Sequence, residues 1–369
     1  MLLADLGADV IKVESFAGDD TRSWSPPSAP LKEDIPLPDE PAESAYFLSV
    51  NRNKRSICVD FKSPQGIELM HRLVARADIL VENFIPGKLE KLGLGYSQCQ
   101  ELNPGIIYTS ISGYGQTGPY AANAGYDVVI EAEAGLMHIT GEPNGPPCKV
   151  GVAVTDVSTG LYAHGAILAA LLARQTTGRG IAGLANIASN YLVANASATR
   201  HGTAHPSIVF PCKDGYIMIG AGNDNQFGLL CRRVLERPEL ATNENFSTNR
   251  SRVANRESLV DAITAILMQE TRDYWIQKFN GVGVPFGPIN DIEQTFSHPQ
   301  VQARGLVVEV EHPRAGPVKL VGPAVMYNGS RMGVTRPPPY LGQHTSEVLR
   351  EVGYQDKEIE RLRQSKVVR

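Results

Sequence analysis

At 369 residues, with 42% hydrophobic and 20% charged side chains, the chain is long enough for two domains and has the make-up of an ordinary globular protein. A formal net charge of -4 excludes a global pull toward nucleic acid or an anionic membrane, so any anionic ligand needs a local basic patch. Five scattered cysteines (Cys58, Cys99, Cys148, Cys212, Cys231) without CxxC pairing argue against a disulfide framework and fit a reducing compartment. No apolar run is expected to reach the roughly 18 residues that span a bilayer, and no targeting segment is legible.

In chain order, the first six residues read as the end of a helix stopped by Gly7, feeding a short buried strand from Val10 to Val13. A start halfway through such a unit leads us to expect that an earlier strand and helix start have been lost. A Pro- and acid-rich loop from Ser25 to Ala42 follows. Then come a strand (Arg55 to Phe61), a helix (Pro64 to Arg76) and two further strands (Ile79 to Asn83, Ile106 to Ser112). That rhythm predicts an open parallel sheet covered by helices. Leu161 to Arg174 is Ala/Leu-rich and reads as a buried helix ending at Gly178. Beyond His201 the pattern changes: a strand from Gly215 to Gly220, a helix from Asn225 to Leu235, polar helical segments to about Phe279 and a loop from Gly281 to Asn290. Strands return at Leu306 to Val310 and Val318 to Val321, before a terminal helix around Ser346 to Val352. The predicted fold class is α/β. A large domain with a Rossmann-like parallel sheet (residues 1–198 plus 310–369) receives a smaller inserted α+β domain (residues 199–309).

The passage from Cys148 to Leu161 carries the most chemistry. A strand-like apolar run ends at Asp156, just before the long helix, so Asp156 reads as an N-cap whose carboxylate faces the positive helix end. A cap alone, worth about 1 kcal/mol, explains that pattern; an accessible carboxylate nucleophile attacking an activated acyl carbonyl is the functional alternative. Gly113-x-Gly115-x-x-Gly118 matches a dinucleotide fingerprint after a strand, but Pro119 and a polar stretch follow instead of an apolar helix, so a nicotinamide nucleotide is not expected. The eight histidines form no ligand constellation, so no metal is expected, and neither Ser158 nor Ser197 sits in a nucleophile elbow. The Arg52 to Arg55 cluster reads as solvated surface charge.

Several segments resemble the family III CoA-transferases: Leu2 to Glu14, Asn53-Lys54-Arg55-Ser56, Val81-Glu82-Asn83-Phe84, Ser112 to Pro119, and Asp156 with Thr159-Gly160 and Thr177-Gly178-Arg179-Gly180. Arg200 to Pro206 and Gly283 to Asn290 fit the family's small domain. Gly135 to Gly141 and Arg336 to His344 bring the chain nearest the mitochondrial succinate–hydroxymethylglutarate branch. The resemblance implies CoA transfer between an acyl-CoA thioester and a free acid, with a dicarboxylate expected. Asp156 would form an acyl-aspartyl anhydride and then an aspartyl-CoA thioester in a site that excludes water. It implies no permanently bound cofactor or metal, CoA thioester as substrate, an interlocked homodimer, no nucleic-acid or membrane partner, and a mitochondrial location, with the cytoplasm as the alternative. Val59, Lys62, Lys91 and Leu92 fall where relatives contact the CoA nucleotide, the lysines matching its phosphates. Tyr126 and Asp127 fall by the acyl pocket, where a buried structural carboxylate is the other reading of Asp127.

The same fold hosts 2-methylacyl-CoA racemases, which place a histidine base where Tyr126 stands. A phenol with a reference pKa near 10 is a poor base at neutral pH, which favours transfer over racemisation. The resemblance also has gaps. Relatives open with a strand and a loop that cover the anhydride; they carry a short Gln-x-x-Asp-x-Ser-Leu strand after the position of Gly180; and they have extra residues before Lys213. These gaps lead to the expectation that the chain alone folds poorly or is inactive, as a non-catalytic pseudoenzyme would be.

Overall fold

The computed structural model describes the chain apart from residues 33–41, 118, 124, 126, 142–144, 181, 187–208, 222, 324–325, 328–329 and 332, and apart from the side chains of residues 182–186, 326–327 and 330–331. The chain forms two compact units, Met1–Ala194 with Pro299–Arg369, and Asn195–His298.

The first unit opens with α1 (Leu2–Asp5), stopped at Gly7, whose φ of +98° suits only glycine, and continues into β1 (Val10–Glu14). Ser44 caps α2 (Ala45–Val50) by accepting the Phe47 N–H, and β2 (Lys54–Cys58) then pairs in parallel with β1, Val13 opposite Ile57. Pro64 starts α3 (Pro64–Val74), where its missing N–H costs nothing, and the helix buries Leu69, Met70 and Val74. Next come β3 (Ile79–Glu82), α4 (Lys88–Lys91) and β4 (Ile107–Ser112), then α5 (Asp127–Glu133) and the long α6 (Val154–Thr177), which leads to β5 (Ala182–Asn186).

β3, β4 and β5 form a parallel sheet with β4 central, so the position beside β4 is filled by the segment that lacks the relatives' strand motif. Gly180 makes this possible, because a Cβ there would lie 1.9 Å from the Ile106 carbonyl oxygen. The parallel strands stand as two sheets, not one. Among the described residues, β1 and β3 each pair along a single edge. Side chains still bridge them, with Val13 packed in one cluster with Leu80 and Tyr108.

The second unit is α+β. β6 (Val209–Cys212), β7 (Gly215–Ile219) and β8 (Phe286–Pro288) form an antiparallel sheet with β7 central. α7 (Arg256–Leu267) and α8 (Arg272–Phe279) supply Leu259, Trp275 and Phe279 to a core with Phe210 and Ile217. Back in the first unit, β9 (Val307–His312) and β10 (Gly316–Val321) make a hairpin. α9 (Thr345–Glu351) and an unforeseen α10 (Asp356–Gln364) pack Val348, Leu349, Ile359 and Leu362 over Ile57, Val59 and Leu69.

Two sequence expectations are corrected here. Arg52 and Arg55 are not solvated; they are 2% and 3% exposed and neutralised by carboxylates. Arg52 makes a bidentate pair with Asp5 at 3.1 and 2.7 Å, and Asn53 adds a bond to Asp5 at 3.0 Å. Arg55 binds Asp9, Glu347 and Glu351, tying β2 to the α1–β1 turn and to α9. Charge counting misjudged these arginines because their partners lie 47 and about 290 residues away in the chain.

The second correction concerns α6. It is apolar enough, with an 18-residue window of mean hydropathy 1.3, to cross a membrane by length and composition. It is also only partly buried: Thr155, Thr159, Ala163, Ile167 and Ala170 face the protein, and Ile167 and Ala170 pack with Ile107 of β4.

Asp5→Ala would leave the Arg52 guanidinium buried and uncompensated. It is expected to lower unfolding stability by about 3–5 kcal/mol in urea melts, whereas a solvated pair would change stability by under about 1 kcal/mol.

Candidate active site

Arg174, near the end of α6, bonds the Gly105 carbonyl at 2.9 Å and the Asp78 carboxylate at 2.7 Å, both just ahead of β4 and β3. α6 therefore runs antiparallel to those strands. At 1.5 Å per residue it is about 36 Å long, against roughly 20 Å for β4, so its first turn projects past the carboxyl ends of the strands. Open α/β sheets bind ligands at that edge. α5 follows the loop that leaves the same end of β4. In that loop Gly113 meets Gly125 so closely that a Cβ would lie 2.9 Å from its Cα, which explains a glycine there without any phosphate.

Asp156 is not the N-cap. Cys148 to Ala153 is irregular rather than extended, α6 starts at Val154, and Asp156 is its third residue. The cap comes from across the chain. Asp127, buried at the start of α5, accepts the Thr155 N–H at 2.8 Å and the Asp156 N–H at 3.0 Å on one carboxylate oxygen, and the Thr155 hydroxyl donates to the same oxygen. The β-branched run from Val150 to Val157 favours a strand locally, but Asp127 supplies the acceptor that the first turn needs, and the helix wins. With its amide held and no side-chain cap bond of its own, the Asp156 carboxylate is exposed.

Partial desolvation and then the charge of Asp127 raise Asp156 above the ordinary aspartate value of 3.8. One turn beyond Asp127, Glu131 is fully buried and accepts the Val150 N–H at 3.3 Å. Burial and the neighbouring Asp127 raise its carboxyl. Tyr46 of α2 also reaches this group. Partial burial, then Asp156 and Asp127, raise its phenol, and its ring lies 5.0 Å from that of Trp24. Tyr46 and Trp24 are both more than 40% exposed, so two aromatic faces stand open beside the carboxylates.

The other candidates lie apart from this cluster. Val59 is a core residue whose backbone bonds Glu14 and bridges to Val368, so its side chain is closed to ligands. Lys62 and Lys91 are exposed, and their neighbours Phe61 and Leu92 each pack against the same apolar cluster. Tyr126 lies outside the described residues. Among those residues, no group of three or more His, Cys, Asp or Glu side chains could hold a metal ion. Sequence reasoning missed Glu131, although a carboxylate four residues after Asp127 on an apolar helix was a usable signal. It also missed Tyr46 and Trp24, for which no local signal exists.

The CoA-transferase family III model matches residues 1–345, and the chain belongs to that family of enzymes. It is 48% identical over 385 aligned positions to a human succinyl-CoA:glutarate CoA-transferase, covering 100% of this chain and 85% of the relative. It is 41% identical to a succinate–glutarate CoA-transferase of Agrobacterium fabrum, covering 95% and 90%. A CAIB/BAIF family protein from Brucella suis superposes with a TM-score of 0.83 at 40% identity, covering 95% of this chain and 93% of that one. The family and fold class expected from the motifs are thus the ones found.

If Asp156 is the attacking carboxylate it must be ionised, so acyl-enzyme formation should fall as pH drops through the Asp156 pKa, in a limb above 3.8. Asp127→Asn keeps a capping oxygen but removes the charge, so the limb should move to lower pH; Asp127→Ala should also lose about 1 kcal/mol of cap. A limb unmoved in Asp127→Asn would show that the two carboxyls are not coupled.

Proposed function

We propose that the protein moves CoA between a dicarboxylyl-CoA such as succinyl-CoA and a free dicarboxylate such as glutarate, with Asp156 as nucleophile. The observation that carries this reading is an exposed carboxylate at the carboxyl edge of the sheet, its amide clamped by Asp127. The names of the similar human and Agrobacterium enzymes support the choice of acids.

In this reading the Asp156 carboxylate adds to the donor thioester carbonyl and CoA leaves as thiolate, giving a mixed anhydride. The thiolate attacks the aspartyl carbonyl, which releases the donor acid and forms an aspartyl-CoA thioester. The acceptor carboxylate attacks that thioester, giving a second anhydride and free thiolate. Thiolate attack on the acceptor acyl carbon then yields the new acyl-CoA and regenerates Asp156. No net water is consumed, so the thioester's activation is retained as long as water is kept out. Lys62 and Lys91, both exposed, are suited to the CoA phosphates.

A site open to water needs a cover, and a second copy of the chain fits. Val157, Leu161, Leu168 and Leu172 are 58%, 54%, 43% and 67% exposed along one line of α6 that continues from Asp156. Gly160 and Gly165 leave open space along the helix. Such an apolar stripe, roughly a few hundred Å², marks an interaction surface.

Incubation with succinyl-CoA, trapping with hydroxylamine and peptide mapping should place the modification on Asp156; modification confined to other residues would refute the assignment. Leu161→Arg with Leu172→Arg should shift the sedimenting species from dimer to monomer and abolish turnover without loss of helicity, and an intact dimer would remove this face from the interface.

A further inference from the structure

Behind the nucleophile lies a pair of carboxyls that the transfer reaction does not itself use. Asp127 and Glu131 are four residues apart on α5, so their side chains lie on one face, and both are buried. Asp127 is well provided for, with three donors on one oxygen at the positive end of a 24-residue helix. Glu131 is not. It has one long bond from the Val150 amide at 3.3 Å, and its other carboxyl oxygen, fully buried, has no donor.

Two facing carboxyls in the protein interior cannot both carry charge. The asymmetry of donors decides which one carries the proton: it is Glu131, one of whose buried oxygens no donor reaches.

We infer that Glu131 is a protonated positioning residue, donating its hydrogen to the Asp127 side chain that clamps the amides of Thr155 and Asp156. The oxygen without a donor is then accounted for, because it is the one that carries the hydrogen. The groups facing Glu131 agree with this. Burial favours the neutral form most; the Val150 amide opposes it, the charge and side chain of Asp127 on the same helix then favour it, and Lys149 from the loop ahead of α6 opposes it more weakly. Beyond Asp127, α6 contributes Asp156 and α2 contributes Tyr46, both of which feel the Asp127 charge.

The consequence for the reaction is indirect and specific. A neutral Glu131 lets the site contain one fixed negative charge beside the nucleophile instead of two. Asp156, raised first by desolvation and then by Asp127, is thereby spared a second neighbouring charge that would raise it further. The inference rests on Asp156 being the nucleophile, but the proton on Glu131 can be observed without any turnover.

The test has two parts on the full chain. Infrared difference spectra of wild type against Glu131→Gln at pH 7 should contain the carbonyl stretch of a protonated carboxylic acid that shifts in heavy water. Its absence would overturn the inference whether or not Asp156 is acylated. Single-turnover acylation by succinyl-CoA should then fall about 10-fold in Glu131→Leu, which removes the donor, and Glu131→Gln, whose amide can still donate to Asp127, should restore most of the rate. The acid limb should be the same in Glu131→Gln as in wild type. If Glu131 were ionised, glutamine would remove a negative charge and the limb would shift to lower pH, which would also overturn the inference. Should Glu131→Leu melt early, the comparison of Glu131→Gln with wild type carries the test alone, since both keep a polar side chain of the same length.

Discussion

A single carboxylate oxygen, that of Asp127, gathers the first turn of the longest helix among the described residues and so determines where the Asp156 carboxylate stands. α6 has no side-chain cap of its own. Its leading amides need acceptors, and water at a reactive site would serve them poorly. Asp127 meets that need from a different helix, one that follows the carboxyl end of β4, so the cap also ties two elements together at the ligand-binding edge. A serine or threonine cap would have satisfied the same amides. What a carboxylate adds is charge: it opposes the helix end that would otherwise pull Asp156 down, and the net direction at Asp156 is upward.

The rest of the first unit can be read as support for that edge. The buried arginines are taken up by carboxylates of this chain; Arg52 holds α1 through Asp5, and Arg55 holds β2 to the α1–β1 turn and to α9 through Asp9, Glu347 and Glu351. Glu14 at the end of β1 takes both Arg22 and Ser56, which fixes the start of the loop that carries Trp24 toward Tyr46. Pairs as deeply buried as Arg52–Asp5 and Arg22–Glu14 contribute little net stability against apolar packing, but breaking one is costly. They therefore constrain loop position more than they strengthen the core, as a site formed by loops from several strands requires.

Much of this is legible in the amino-acid order alone. The alternation of apolar runs with Gly and Pro punctuation locates β1 to β4, α3, β7, β9, β10 and α9 within a few residues, because each is defined by its own local period. Asp156 is legible as a carboxylate at a helix start, but its role there is misjudged from local pattern. The true cap is 29 residues earlier and reaches Asp156 only through the tertiary fold. The solvated reading of Arg52 and Arg55 fails for the same reason, and so does burial of α6: composition reports how apolar a helix is, not which of its faces finds a partner within one chain. α10 escapes notice because its apolar positions are few, although Ile359 and Leu362 are spaced to share one face.

The direction of the Asp156 shift bears on why this chemistry suits acid exchange. Under the proposed route, each anhydride joins Asp156 to a substrate carboxylate, and the thiolate must attack one carbonyl or the other. If Asp156 were a much weaker base than the substrate acids, it would be the better leaving group, and the aspartyl-CoA intermediate would form poorly. Free aliphatic carboxyls titrate near 4.3, as a glutamate side chain does. Raising Asp156 above 3.8, by desolvation and then by Asp127, makes it a stronger base and a poorer leaving group, which favours thiolate attack on the aspartyl carbonyl. The clamp from Asp127 thus acts twice, once on geometry through the amide and once on basicity through its charge. The second effect depends on charge, whereas the first needs only an oxygen held at that place.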